Sequence, residues 1–139
     1  MTTRPHLFHL MSLAQHRLLK STDSAFGEAL GISTTQLGVL FFLERRPGAM
    51  PKDISEALGI NKSAITALVG RMEDVGLIRR EPSDDDGRAV NIFATRDGLE
   101  KAVAARPILA RLNARLTQDL NEREIALIGR FLTAILQNF

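Results

Sequence analysis

"PKDISEALGINKSAITALVGRMEDVGLIRREPSDDDGRAVNIFAT", Pro51 to Thr95, changes its hydrophobic period once, and that change decides the fold. Up to Gly76 the apolar residues recur at helical spacing. Ile54 and Leu58 mark a first short segment; Ile65, Leu68, Val69 and Met72 mark a second. Pro51 suits the first turn of a helix and Gly59 its end, while Asn61 is a natural cap and Gly76 stands just beyond the second helix. Helices over 51–58 and 61–74, joined by Gly59-Ile60, have the length and turn of a helix-turn-helix. Past Gly76, "LIRRE" and "AVNIFAT" are β-prone and flank "PSDDDG", which carries Pro, Asp and Gly where a turn needs them. A two-stranded hairpin is expected there, and a helix-turn-helix followed at once by a hairpin is a winged helix.

The rest of the chain is helical. Leu7, Leu10, Leu13, Leu18 and Phe26 space out a long first helix that ends near Gly31. In "GISTTQLGVLFFLERRPG", Ser33 and Gln36 form a capping box and Pro47-Gly48 stops the helix. Thr95 caps "RDGLEKAVAARPILARL", in which Pro107 predicts a kink or a break. "NEREIALIGRFLTAILQNF" closes the chain as an amphipathic helix with Ile125, Ile128, Leu132 and Ile135 on one stripe. The fold class expected is mainly α with a small β-wing. One domain spans 1–139: a winged helix-turn-helix core about 31–98, with flanking helices about 5–30 and 97–139.

At 139 residues and 45% hydrophobic, the chain can bury a sizeable core, and disorder is not expected. It has no cysteine, so disulfides, thiolate metal sites and thiol-based peroxide sensing are excluded too. Met1 to His6 hold no signal-peptide core, and no apolar run is long enough to span a bilayer, so a soluble, cytoplasmic chain without a membrane partner is expected. The formal charge is only +2. Residues 59–98 hold six Lys/Arg against seven Asp/Glu, a net −1. Bulk charge therefore does not nominate a nucleic-acid binder, and that case rests on where the cations stand.

They stand around the second helix of the pair. Opposite its apolar stripe it presents Ser63, Ala64, Thr66, Ala67 and Gly70, all short, with Lys62 and Arg71 at the margins. A mid-helix glycine costs about 1 kcal/mol relative to alanine and asks for a reason. One reason is approach: a helix in the major groove must bring its backbone close to base edges, and short side chains allow it. Ser63 and Thr66 offer hydroxyls to base edges, the methyls of Thr66 and Ala67 can meet thymine, and Lys62 and Arg71 suit phosphates. The plain alternative is an ordinary solvated helix face.

The hairpin tip of a winged helix lies over the minor groove, whose negative potential an inserted arginine probes. Arg88 is the sole cation between Glu81 and Thr95. Three aspartates beside it look out of place, but Asp86, two residues back, can hold the Arg88 guanidinium in one pose by a charge-assisted contact. Asp84 and Asp85 then face solvent and keep the tip from gripping any backbone indiscriminately.

Gly31 to Gly98 resembles the MarR (multiple antibiotic resistance regulator) winged-helix repressors. "GISTTQLGVL", "DISEALGINKSAITALVGRMEDVGLIRR", the wing "DGR" and "TRDG" carry the likeness, and the order of six helices around one hairpin extends it over essentially the whole chain. The family's Asp-x-Arg wing signature falls on Asp86 and Arg88; its Gly-Leu-aliphatic-x-Arg stretch falls on Gly76, Leu77, Ile78 and Arg80. Two departures stand out. Many relatives have an arginine where this chain has Ala67, and the leucine that usually precedes the capping threonine is Ala94.

The resemblance implies that the first and last two helices are dimerisation helices, and hence a homodimer on an inverted-repeat, double-stranded operator. The residues agree, because Leu7, Phe8 and Leu10 with Phe131, Leu132, Ile135, Leu136 and Phe139 exceed what terminal helices can hide in a small monomer. It also implies a small aromatic or phenolic effector that releases DNA, for which His9, His16, Arg17 and Phe41 would supply a donor, a cation and an aromatic wall.

His6, His9 and His16 fall on nearly one helical face, which raises metal sensing as an alternative. His6 and His9 could share an ion, His16 is too far along, and no metal-binding motif occurs, so ordinary, partly buried histidines and no cofactor are expected. No phosphate loop or nucleophile elbow suggests an enzyme. A winged helix serving as a protein-interaction module is the other alternative. Salt separates the two, since only DNA binding weakens steeply through counterion release.

Overall fold

Local signals build the central elements as the sequence predicts. The computed structural model describes residues 4–83 and 89–139. Within them the order is α1 (Leu7–Leu30), α2 (Thr34–Arg45), α3 (Pro51–Leu58), α4 (Lys62–Asp74), β1 (Ile78–Pro82), β2 (Val90–Ala94), α5 (Arg96–Leu116) and α6 (Glu122–Asn138). The Ser33 hydroxyl accepts from the Gln36 N–H at 3.1 Å while the Gln36 side chain accepts from the Ser33 N–H at 2.9 Å, so the capping box of α2 is complete. Asp53 accepts from the Met50 N–H at the start of α3, and Asn61 accepts from the Ala64 N–H at the start of α4.

The chain divides into two compact units, Met1–Arg106 and Pro107–Phe139. The first holds the core. Phe26 of α1, Leu37, Val39, Leu40 and Leu43 of α2, Ile54 of α3, and Ile65, Leu68, Val69 and Met72 of α4 are all buried, as are Ile78 and Ile92 of the hairpin. The apolar stripe expected on the second helix of the pair is thus the face turned inward.

The end of α4 sets where the hairpin begins. Gly76 adopts φ +81°, its N–H donates to the Glu73 carbonyl, and the Leu77 N–H reaches back to the Met72 carbonyl at 2.9 Å. These two bonds make a Schellman ending, with Leu77 and Met72 both buried beneath it. β1 and β2 pair antiparallel in the register Ile78↔Ala94, Arg80↔Ile92, Pro82↔Val90. The α2–α3 connection adds a bridge from Ala49 to Ile92, which no local pattern in the sequence announces. At the root of the hairpin Thr95 donates from its hydroxyl to the Gly76 carbonyl at 2.6 Å, and from its N–H to the Leu77 carbonyl. The same hydroxyl oxygen accepts from the Gly98 N–H, so Thr95 caps α5 as expected.

Pro107 does not break α5, which is helical through to Leu116. Proline removes one backbone donor, and a helix with about ten residues on either side tolerates that loss. In the second unit, α6 begins with a second complete capping box, Asn121 with Glu124. None of its residues is buried. Among the described residues no single helix is long and apolar enough to cross a membrane.

Candidate nucleic-acid interface

The face of α4 turned away from the core carries the predicted short residues. Lys62, Ser63, Ala64, Thr66, Ala67 and Arg71 are exposed and Gly70 is partly so. Two hydroxyls on this face are already ordered. Thr66 Oγ1 donates to the Lys62 carbonyl at 2.9 Å and Ser63 Oγ donates to Asn61 Oδ1 at 2.9 Å. Both partners are carbonyl oxygens and can only accept, so each hydroxyl turns lone pairs, not a proton, to whatever approaches. Bonding of Thr66 to its own helix also fixes its rotamer. A Cβ built on Gly70 meets nothing within 4 Å. The chain's own packing therefore gives no reason for a glycine at this point of a helix.

Asp86 and Arg88, the predicted wing pair, fall at 84–88, outside the described residues. The hairpin stem that carries them is well fixed. Arg79 lies over the Phe93 ring at 4.4 Å and pairs with Glu81. Arg80 donates from Nη2 at 2.8 Å and from Nε at 3.1 Å to Glu73 Oε1, tying β1 to the last turn of α4. The hydrogen bond from Arg80 holds the Glu73 carboxyl below the usual glutamate range, against the opposing effect of burial, and Glu73 in turn pushes Arg80 up. Arg80 belongs to the motif that carried the resemblance, but its partner was missed. Glu73 precedes the change of period and Arg80 follows it, so neither periodicity alone pairs them.

The residues expected at a dimer interface are open to solvent. In the first unit Leu7, Phe8 and Leu10 are exposed, Phe8 at 87%. In the second unit Phe131, Leu132, Leu136 and Phe139 are exposed and Ile135 is half-buried.

The effector candidates divide. His9, His16 and Arg17 are exposed along α1, and Phe41, on α2, is half-buried. Seven residues of helix put His9 and His16 about 10 Å apart along the axis. The Phe41 ring is covered instead by the Arg106 guanidinium at 5.3 Å, which also pairs with Glu44. Arg106 is distant in sequence, and nothing local announces it. An open depression on α1 is lined by His6, Leu7, Phe8, His9 and Ser12; of the four candidates it includes only His9. The expectation of partly buried histidines is corrected: His6, His9 and His16 are all exposed, because α1 buries Phe26 alone. Among the described residues no group of three or more His, Asp or Glu is placed to hold a metal ion.

Against known proteins, the family model described as MarR family matches residues 30–89, from the end of α1 through the helix-turn-helix and β1, stopping before β2. The organic hydroperoxide resistance transcriptional regulator of Bacillus subtilis is 32% identical over 103 residues, covering 72% of this chain and 70% of that protein. The HTH-type transcriptional repressor IacR of Pseudomonas putida is 27% identical over 122 residues, 88% of this chain and 68% of the relative. Among solved structures, S. aureus MepR in its DNA complex superposes with a TM-score of 0.84 at 26% identity, over 100% of both chains.

Proposed function

The chain belongs to the MarR family, and from that premise we propose that it is a DNA-binding transcriptional regulator, a homodimeric repressor that a small aromatic or phenolic ligand releases from an inverted-repeat operator. One observation carries the reading: the outer face of α4 is built of short residues and holds a glycine that the fold itself does not require. Such a face suits close approach to base edges in the major groove. Lys62 and Arg71 flank it where phosphates would lie, and Ser63, Ala64, Thr66 and Ala67 stand toward the bases. Arg88, oriented by Asp86, would enter the adjacent minor groove.

The names of the relatives support transcriptional regulation, one of them repression, and the structural neighbour is bound to DNA. The exposed apolar residues of α1 and α6 support a dimer, since a monomer seldom leaves so many large side chains in water. The ligand part of the reading rests on His9, His16, Arg17 and Phe41, whose donors and cation stay accessible.

Electrophoretic shift of the full chain on the DNA flanking its own coding sequence, across a salt series, tests the proposal. Retention of a fragment with an inverted repeat, and log affinity falling linearly with log salt, is the expected result. Binding that ignores salt would favour a protein-interaction module; no retained fragment at low salt would overturn the reading.

A further inference from the structure

Glu73 is the penultimate residue of α4, and Arg80 is the third residue of β1. Two hydrogen bonds converge from the Arg80 guanidinium on one oxygen of Glu73. The pair is partly solvated, at 40% exposure for the Arg80 side chain and 37% for that of Glu73. Surface ion pairs of this kind contribute little to stability, so the pair's geometry is the better guide to its use.

That geometry complements the root of the hairpin. The Schellman ending, the Thr95 hydroxyl on Gly76 and the Thr95 N–H on Leu77 all hold the chain at Gly76, Leu77 and Thr95. Arg80 lies three residues farther out, about 10 Å along the strand. At the level of Arg80 the other strand is already held, since Ile92, its register partner, exchanges backbone hydrogen bonds with Gly48 and Ala49 of the α2–α3 connection. The Glu73–Arg80 pair is the tie at that level that reaches α4 itself, and so it sets the angle of the stem to that helix. The elements joined are the helix with the short-residue face and the strand that leads to Arg88.

We propose that Glu73 and Arg80 are positioning residues for DNA binding, their ion pair bracing the wing stem against α4 so that recognition helix and wing tip meet their grooves together. The inference rests on the DNA-binding reading above. It gives Arg80 a role besides any phosphate contact, since Nε and Nη2 each donate to Glu73.

Electrostatics alone makes the opposite forecast for one variant, which is what makes the test sharp. Removing a carboxylate beside DNA should strengthen binding; removing a brace should weaken it. The probe is the duplex that the full-length wild-type protein enriches from a randomised pool. Glu73→Ala and Arg80→Ala are each expected to weaken binding to it about fivefold. The double variant should bind no worse than the weaker single, and the swap of Glu73→Arg with Arg80→Glu should regain most of the loss. The salt slope should be unchanged throughout. Because the chain has no cysteine, spin labels on Glu56→Cys and Ser83→Cys can report the stem angle, and their distance distribution should broaden in each single variant.

Tighter or unchanged binding by Glu73→Ala overturns the proposal, as do additive losses. A salt slope lower by about one phosphate in Arg80→Ala alone makes Arg80 a backbone contact and overturns it also. Loss of helix content in the singles would make the pair part of the fold and overturn it in the same way. Failure of the wild type to enrich any duplex removes the DNA-binding reading itself, an outcome distinct from one confined to the variants.

Discussion

A methyl group on Gly98 would stand 2.2 Å from the Leu77 carbonyl oxygen and 2.9 Å from Leu40 Cδ2, whereas one on Gly70 would meet nothing within 4 Å. Gly98 is a packing glycine. It lets α5 cross the root of the hairpin where Leu77 has just accepted the Thr95 N–H, and the atom in the way is backbone. Gly98→Ala should therefore destabilise by about 1–3 kcal/mol in urea unfolding; an unmoved midpoint would show that α5 can shift aside without cost. Gly70 is the reverse case. Gly70→Ala should stabilise the fold by about 0.5–1 kcal/mol through helix propensity, yet weaken operator binding, because the methyl would sit between the helix and the bases. A variant that gains stability and binds as tightly as wild type would show that α4 does not approach DNA at this residue. Opposite signs for stability and binding at one position are hard to obtain from a helix face that meets only water.

At the scale of elements, what the sequence made legible was whatever carries its own punctuation. Asn61 and Gly76 bound α4, Ser33 with Gln36 opens α2, and the return from helical to alternating pattern marks β1. The Asn121–Glu124 box opens α6 in the same way, but there the apolar stripe alone carried the expectation of a helix. Pairings between segments were not legible. The Ala49–Ile92 bridge, Arg106 over Phe41 and Arg80 on Glu73 each join residues whose local patterns are independent. The histidines of α1 misled for a related reason: a one-sided pattern predicts a covered face, but not which chain covers it. The Glu73–Arg80 link has a pH signature. Arg80's hydrogen bond, opposed by burial and aided by its charge, holds the Glu73 carboxyl below its ordinary 4.5. A depressed carboxyl contributes stability above its unfolded pKa and loses it as pH falls through the folded one. The small margin of wild type over Glu73→Gln in urea unfolding should be steady at neutral pH, shrink below about pH 4.5, and vanish in stronger acid. A margin that survives there would mean that the effect is not carried by ionisation. For the wing tip, Arg88→Ala should lower operator affinity by about 1–3 kcal/mol with the dimer intact. Asp86→Ala should cost less and add nothing to Arg88→Ala in a double-mutant cycle; unchanged binding by Arg88→Ala would remove the wing from recognition.

For the whole molecule the decisive matter is how many copies act together. On α1 the exposed side chains include Leu7, Phe8, Leu10 and Leu13, and on α6 they include Leu127, Ile128, Phe131, Leu132 and Leu136, the last at 86%. Each helix taken alone shows more large apolar surface than a monomer usually tolerates. A two-fold dimer formed through such faces would set two copies of α4 at half-sites roughly 34–36 Å apart, one DNA turn, and so convert the symmetry of the protein into that of the operator. Leu132 is a suitable probe because it is 45% exposed and lies outside the buried core, so a carboxylate there leaves the helix-turn-helix intact. In a dimer interface, by contrast, the same carboxylate would be buried without a partner, at a penalty of several kcal/mol in each copy. Leu132→Asp should therefore sediment as a monomer at concentrations where wild type is dimeric, with helix content unchanged by circular dichroism. Its binding to an inverted repeat should fall to the level seen with a single half-site, since each copy must then bind on its own. If the variant sediments as wild type does, the α6 face is not what joins the copies, and two-fold readout would have to come from α1 or not at all.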